Sequence, residues 1–338
     1  MAKVLLIYTG GTIGMNLNPR TGALEPFRFD QLVGNVPELE HLTVDISVRH
    51  FEPPIDSSDM QPSHWSEMVR VISDNYDRYD GFVILHGTDT MAYTASALSY
   101  MLENLTKAVI LTGSQLPIGQ LRTDGKENLI TSIEIAAAKD AEGHSVVPEV
   151  GIYFNGHLLR GNRTTKQSAD GFNAFESFNY PHLVEAGVNI NYNLHNIRRP
   201  DWAMPMTPHF CMDNNVMIFS LFPGIREEHV RHMLATPGLR GIVMRTFGSG
   251  NAPQSEWLKT VLREAYDNGL VIVNVSQCMA GSVEMSRYDA GCHLKNAGVV
   301  SGYDCTVEAA VTKLMYLLAR FPIDEVRRYM GKSLRGEI

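Results

Sequence analysis

Three stretches of this chain gather small hydroxyl side chains and glycine: Thr9-Gly-Gly-Thr-Ile-Gly14, His86-Gly-Thr-Asp-Thr90 and Thr112-Gly-Ser-Gln115. Each follows a short apolar run. Hydroxyls in such turns suit acyl transfer, because a threonine oxygen attacks a carbonyl carbon once a neighbouring base takes its proton. Glycine lets backbone N–H groups approach a small ligand and serve as donors to a developing oxyanion. The same residue types also build ordinary turns and helix caps; three of them at one edge point to a site. Anion binding is the competing reading for 9–14. That segment lacks the Gly-Lys-Ser/Thr ending of a phosphate loop and does not fit GxGxxG. The twelve histidines show no HExxH or HxH spacing. Cys211, Cys278, Cys292 and Cys305 form no CxxC pair, so neither a metal nor another cofactor is expected.

The elements that carry these turns follow from periodicity. Residues 4–8, 81–85, 108–111 and 149–154 read as buried strands, and 65–75, 92–102 and 128–138 as helices. Short apolar strands alternating with helices imply a doubly wound, mainly parallel sheet, whose ligands bind at the strands' carboxyl ends. The pattern weakens at 187–210, where Arg199-Pro200, Met204-Pro205 and Thr207-Pro208 discourage helix. Strands return at 216–221, 241–245 and 271–275, and helices at 226–234, 254–268 and 306–318. The expectation is an α/β protein of two domains. A larger N-terminal catalytic domain covers 1–186, a linker 187–210, and a smaller parallel α/β domain 211–338.

A net charge of −8 leaves no footprint for nucleic acid. The basic cluster Arg327, Arg328, Lys332 and Arg335 reads as the decoration of a helix end. No apolar run is long enough to span a bilayer. The first residues read as a strand rather than a secretory signal, so a cytoplasmic location with reduced thiols is expected.

Longer segments now name a family. Tyr8-Thr-Gly-Gly-Thr-Ile-Gly14 and His86-Gly-Thr-Asp-Thr-Met-Ala-Tyr93 resemble the two signature motifs of the bacterial-type L-asparaginase/glutaminase family. Asp56-Ser-Ser-Asp-Met60, Thr112-Gly-Ser-Gln115, Arg160-Gly-Asn-Arg-Thr-Thr-Lys166, Gly250-Asn-Ala-Pro253 and Ser276-Gln-Cys278 agree in order along nearly the whole chain. The wording is most similar to the cytoplasmic, type I members. The resemblance implies hydrolysis of L-asparagine to L-aspartate and ammonia through an acyl-enzyme on Thr12. It places Thr88, Asp89 and Lys166 in a second catalytic triad. Gly11, Asp56, Ser57, Ser58, Thr88, Asp89, Ser114 and Gln115 fall at substrate-binding positions, Asp89 facing the ammonium and Ser57 the carboxylate. A neutral lysine would serve as base, whereas Asp89 nearby favours its cation, and sequence leaves that competition open. His86 reads as a buried, hydrogen-bonded histidine and Asp124 as a turn residue.

Residues 15–29 match the family's closing loop, which usually presents a tyrosine. Ala23 and Leu24 stand there instead. Thr165, Arg245, Asn251, Ser276 and Cys278 stand at positions resembling an asparagine effector site. The family forms homodimers that pair into homotetramers. Glu284 and Asp289 lie in the region of the partner-supplied acid without matching its motif. Two other readings accompany the first. One is a broader glutaminase or an amidotransferase-like ammonia-releasing subunit, against which the start at the first strand argues. The other is a non-catalytic amino-acid sensor, which would require loss of a triad member.

Overall fold

The computed structural model describes residues 1–17, 24–26, 36–285 and 289–338. They form two compact units, Met1–Phe210 and Cys211–Ile338.

The first unit is built on an eight-stranded sheet: β1 (Ala2–Tyr8), β2 (Val44–His50), β3 (Gly81–Leu85), β4 (Ala108–Thr112), β5 (Val150–Phe154), β6 (His157–Arg160), β7 (Val184–Ala186) and β8 (Ile190–Tyr192). The spatial order is β8-β7-β6-β5-β4-β3-β1-β2. The β2, β1, β3, β4 and β5 strands are parallel neighbours, and the last three are added antiparallel. All residues of β3, β4 and β5 are buried, which explains their unbroken apolar sequences. The parallel part runs 2-1-3-4-5, so the chain reverses its winding between β1 and β3. Sheets of this order bind ligands at that switch point, beyond the strands' carboxyl ends.

Helix α1 (Pro62–Asp74) buries Trp65, Met68, Val69 and Ile72 on one stripe. Helix α2 (Met91–Met101) is buried at every position except Tyr93. Helix α3 (Gly125–Ala137) begins three residues before the periodicity suggested, and Thr123 Oγ1 accepts from its first N–H, that of Gly125, at 3.0 Å. One strand lies where no element was expected, and one expectation is corrected. Residues 44–50 form a strand although Asp45, Ser47 and Arg49 interrupt the apolar pattern; at the sheet's edge one face meets water. Residues 187–210 are not a free linker. They contribute β8, and Thr207–Pro208 pairs with Leu102–Glu103. The compact unit runs on to Phe210.

The second unit holds four parallel strands in sequential order: β9 (Val216–Ser220), β10 (Gly241–Thr246), β11 (Val271–Ser276) and β12 (Val300–Ser301). Helices α4 (Glu227–Leu234), α5 (Glu256–Asp267), α6 (Asp289–Asn296), α7 (Val307–Leu318) and α8 (Ile323–Met330) accompany them. Lys313 of α7 is fully buried and pairs at 2.5 Å with Glu337, itself fully buried. Backbone N–H groups of Leu334 and Arg335 satisfy the carboxylate's remaining lone pairs at 2.7–3.0 Å. Charges this deep persist only when paired and hydrogen-bonded.

Candidate active site

Main-chain contacts bring the turns together. Gly10 and Gly11 have φ of +136° and +92°. A Cβ on Gly10 would lie 2.2 Å from the Ile55 carbonyl oxygen, and one on Gly11 2.6 Å from Gly87 Cα and N. A Cβ on Gly87 would in turn meet Ser57 Oγ at 2.5 Å. The turns after β1 and β3 therefore touch backbone to backbone, with the Ser57 turn against them. Further bonds fix this packing: Thr9 Oγ1 donates to Leu85 O at 2.8 Å, and Ile55 N–H to Thr9 O at 2.6 Å. Thr12 and Thr88 each stand one residue beyond the Gly11–Gly87 contact, at the switch point of the sheet. Among the described residues the Thr12 hydroxyl makes no hydrogen bond, so it is not spent on capping the 3-10 turn that it opens.

Lys166 lies in a two-residue strand, Thr165–Lys166, paired antiparallel with Phe175–Glu176. Its Nζ donates to Thr88 Oγ1 at 2.9 Å and to Asp89 Oδ1 at 2.7 Å. Its side chain is 18% exposed against 65% for that of Asp89. Lys166 is thus no solvated surface lysine. Thr88 Oγ1 also donates to Gln115 Oε1 over a long 3.5 Å.

The Asp56 carboxylate is engaged inside its own turn, where Oδ1 accepts from Ser58 N–H and Ser58 Oγ, both at 2.9 Å. Those two bonds hold its carboxyl below the usual range. Asp56 and Ser58 therefore shape the turn, and the buried Ser57 is the member pressed against Gly87. Ser114 is buried, with its hydroxyl given to Leu116 O at 2.6 Å.

His86 is fully buried. Its Nδ1 lies 2.7 Å from Gly87 O, a group that can only accept, so Nδ1 carries the proton. Its Nε2 then accepts from Thr94 Oγ1 at 2.9 Å, and Thr94 Oγ1 accepts from Trp65 Nε1 at 3.0 Å. Every member of the chain is satisfied in one direction. Desolvation pushes the imidazole down to about 4 and keeps it neutral; the bond to Gly87 O opposes that shift. Asp124 receives Gln115 N–H at 3.0 and 3.1 Å and Leu116 N–H at 3.1 Å. It is a turn residue whose turn carries Gln115. Asn128 Nδ2 donates to Asp124 Oδ2 at 3.4 Å. Neither this pair nor the Trp65–Thr94 chain was singled out from sequence as a support of the site. Asp124 at the helix start was the available cue.

In the second unit, β10 and β11 end on Arg245, Thr246 and Ser276. Ser276 Oγ donates to Gly248 O at 2.6 Å and accepts from Cys278 N–H at 2.9 Å. Asn251 closes a turn on Phe247 at 2.8 Å. Among the described residues Arg245 Nε is buried without a hydrogen-bond partner. Thr165 belongs to the first unit. Glu284 N–H bonds to Ser249 O at 2.9 Å, and Asp289 opens α6. In the expected closing loop, Met15–Leu17 pairs antiparallel with Leu24–Pro26. Residue 23 and the rest of that loop lie outside the described residues. Among the described residues no cluster of three or more histidine, cysteine or acidic side chains could hold a metal ion.

Fold and site define the class first: a two-domain α/β protein with a hydroxyl–lysine pair at the switch point, the layout of an amide hydrolase. The family models agree. "Asparaginase, N-terminal" matches residues 3–198 and "Glutaminase/Asparaginase C-terminal domain" residues 215–330. The L-asparaginase 1 of Escherichia coli (strain K12) is 43% identical over 99% of this chain and 98% of its own. The crystal structure of L-asparaginase I from Vibrio cholerae superposes with a TM-score of 0.90 at 42% identity, covering 100% of this chain and 99% of that one. The thermostable L-asparaginase from Thermococcus kodakarensis gives 0.90 at 32% identity, over 99% of both. The chain belongs to the asparaginase family.

Proposed function

We propose that this protein is an L-asparaginase that hydrolyses the side-chain amide of L-asparagine to L-aspartate and ammonia. The observation that carries the reading is the hydrogen-bonded series Asp89–Lys166–Thr88, set beside Thr12 by the Gly11–Gly87 contact. In this reading the uncommitted Thr12 hydroxyl attacks the amide carbon. Lys166 polarises the Thr88 hydroxyl, which handles the proton of the second step, when water releases aspartate. Asp89 receives the substrate ammonium and the Ser57 turn its carboxylate. Backbone N–H groups at the glycine contact supply donors to the oxyanion.

The test is ammonia release against asparagine concentration for the parent, Thr12→Ala and Thr88→Val. Both variants are expected to fold and to be nearly inactive. Full activity in either would remove that threonine from the mechanism. A parallel glutamine curve decides between this reading and a broader glutaminase, since one methylene is worth ~10–200-fold. Retention of Thr12, Thr88, Asp89 and Lys166 speaks against a silent sensor.

A second site is supported by Arg245, whose buried Nε has no partner among the described residues and suits a ligand carboxylate. With Asn251, Ser276 and Cys278 of the same unit, it is proposed to bind asparagine as an effector. A sigmoidal rate curve that turns hyperbolic in Arg245→Ala is the expected result; a hyperbolic parent curve removes the effector role. A homodimeric or homotetrameric assembly and a cytoplasmic location complete the proposal. No described helix is long and apolar enough to cross a membrane.

A further inference from the structure

Gln115 spans two neighbours. Its Oε1 accepts from Thr88 Oγ1 at 3.5 Å, and its Nε2 donates to Gly171 O at 3.0 Å. Its main chain is held from behind. Asp124 binds the N–H groups of Gln115 and Leu116, and Asn128 Nδ2 donates to Gly113 O at 3.0 Å. The side chain is therefore stretched from a fixed base across a gap. It also lines a cleft of about 700 Å³, whose other walls include Leu116, Leu121, Arg122, Asp170 and Phe172. That volume is typical of sites for ligands much larger than one amino acid.

Gln115 adjoins both the proposed amide position and the cleft. Hydrogen bonds run Asp89, Lys166, Thr88, Gln115, Gly171. An asparagine whose ammonium lies at Asp89 and whose amide lies at Thr88 would have its amide beside Gln115, the other hydrogen-bond partner of the Thr88 hydroxyl. Anything carried on that nitrogen would run into the Gln115 side chain, and beyond it lies the cleft.

We infer that Gln115 is a partition that confines the site to primary amides, and that the cleft behind it is a latent subsite for the nitrogen substituent of secondary β-aspartyl amides. The inference rests on the amidohydrolase reading above. Leu116 and Phe172 give that subsite apolar surface for an alkyl or aryl group, with Leu121 fully exposed at its rim. The reaction is the same hydrolysis. The acyl C–N bond breaks, water gives its hydroxyl to the acyl carbon, and its hydrogen goes to the departing amine.

The experiment compares kcat/KM for L-asparagine and Nγ-benzyl-L-asparagine in the parent, Gln115→Ala and Gln115→Asn. Asn keeps the amide but is one methylene too short to reach both partners. The benzyl-to-primary ratio is expected to rise at least ~10-fold in both variants, the scale of a steric block in a pocket. Leu121→Asp, at the cleft's rim, should leave asparagine turnover unchanged and reduce the gain when combined with Gln115→Ala. If asparagine is still hydrolysed but the ratio stays at the parental value in both variants, the partition is refuted alone. A parent that turns over the benzyl amide as readily as asparagine refutes it too. A parent inert toward asparagine overturns the underlying function as well.

Discussion

Replacing Lys166 by methionine keeps most of the stem and removes the ammonium. Two bonds go with it, the 2.9 Å donation to Thr88 Oγ1 and the 2.7 Å donation to Asp89 Oδ1. The two losses have different sizes. The Asp89 side chain is 65% exposed, so water replaces its lost partner, and a pair this open is worth ~0–1 kcal/mol of stability. The folded protein should melt close to the parental temperature. Thr88 loses its polarising partner inside the site, and removing a positioned proton-handling group costs ~10²–10⁴ in rate. At ~1.4 kcal/mol per decade that is ~3–5 kcal/mol of barrier. The ammonium and carboxylate partners of the substrate remain, so KM should change far less than kcat. The assay is steady-state ammonia release over a range of asparagine concentrations, beside a thermal melt. A variant with parental kcat and the whole loss in KM would show that Lys166 binds substrate and does not serve the chemistry.

Gly11→Ala puts a methyl group 2.6 Å from Gly87 Cα and N at a backbone φ of +92°. The turns must part by ~1 Å, and a displacement of that size costs ~10²-fold in activity. Gly187→Ala meets nothing within 4 Å and should be silent; equal kcat/KM for the two variants would disprove the contact argument. Acid should weaken the protein in two stages. His86 is held neutral down to about 4, whereas an unfolded histidine takes its proton near 6.5. Stability is therefore full above that range and lost as pH falls through it, by ~3 kcal/mol. Urea midpoints between pH 7 and 4 should show this slope and lose it in His86→Asn; an unchanged slope in that variant rejects the assignment. Burial raises the Glu337 carboxyl, but Lys313 and the surrounding N–H groups outweigh burial and set it below its ordinary value. Its stabilisation is present above the carboxylate range and is lost as pH falls below it, so Glu337→Gln should flatten the most acidic part of the curve.

Much of the scaffold was readable because buried parallel strands announce themselves. The runs 81–85 and 108–111 are apolar at every position before a hydroxyl or histidine turn, and they became β3 and β4 almost unchanged. Edge elements were harder. β2 alternates apolar and polar residues and lacks the unbroken apolar run of a buried strand, and β6 to β8 are short strands whose pairing depends on neighbours distant in sequence. The hairpin between β5 and β6 did carry a cue in Asn155-Gly156, whose φ values of 49° and 82° suit a tight two-residue turn. For the site, residue types gave the hydroxyl turns, while the bond from Lys166 to Thr88 crosses 78 positions and follows from no local rule. The roles of Asp56 and Ser58 in holding their turn, and of Trp65 in orienting His86, emerge only once the hydroxyls and ring nitrogens have directions.

The meeting of Gly11 with Gly87 has an evolutionary consequence. One flank of the pocket is formed by peptide groups rather than side chains, and peptide groups are common to all residues. Drift in sequence can spoil that flank by adding atoms but has no way of re-tailoring it. Change in what the pocket accepts must come through its lips, where Gln115 and the Ser57 turn present groups that a single codon can alter.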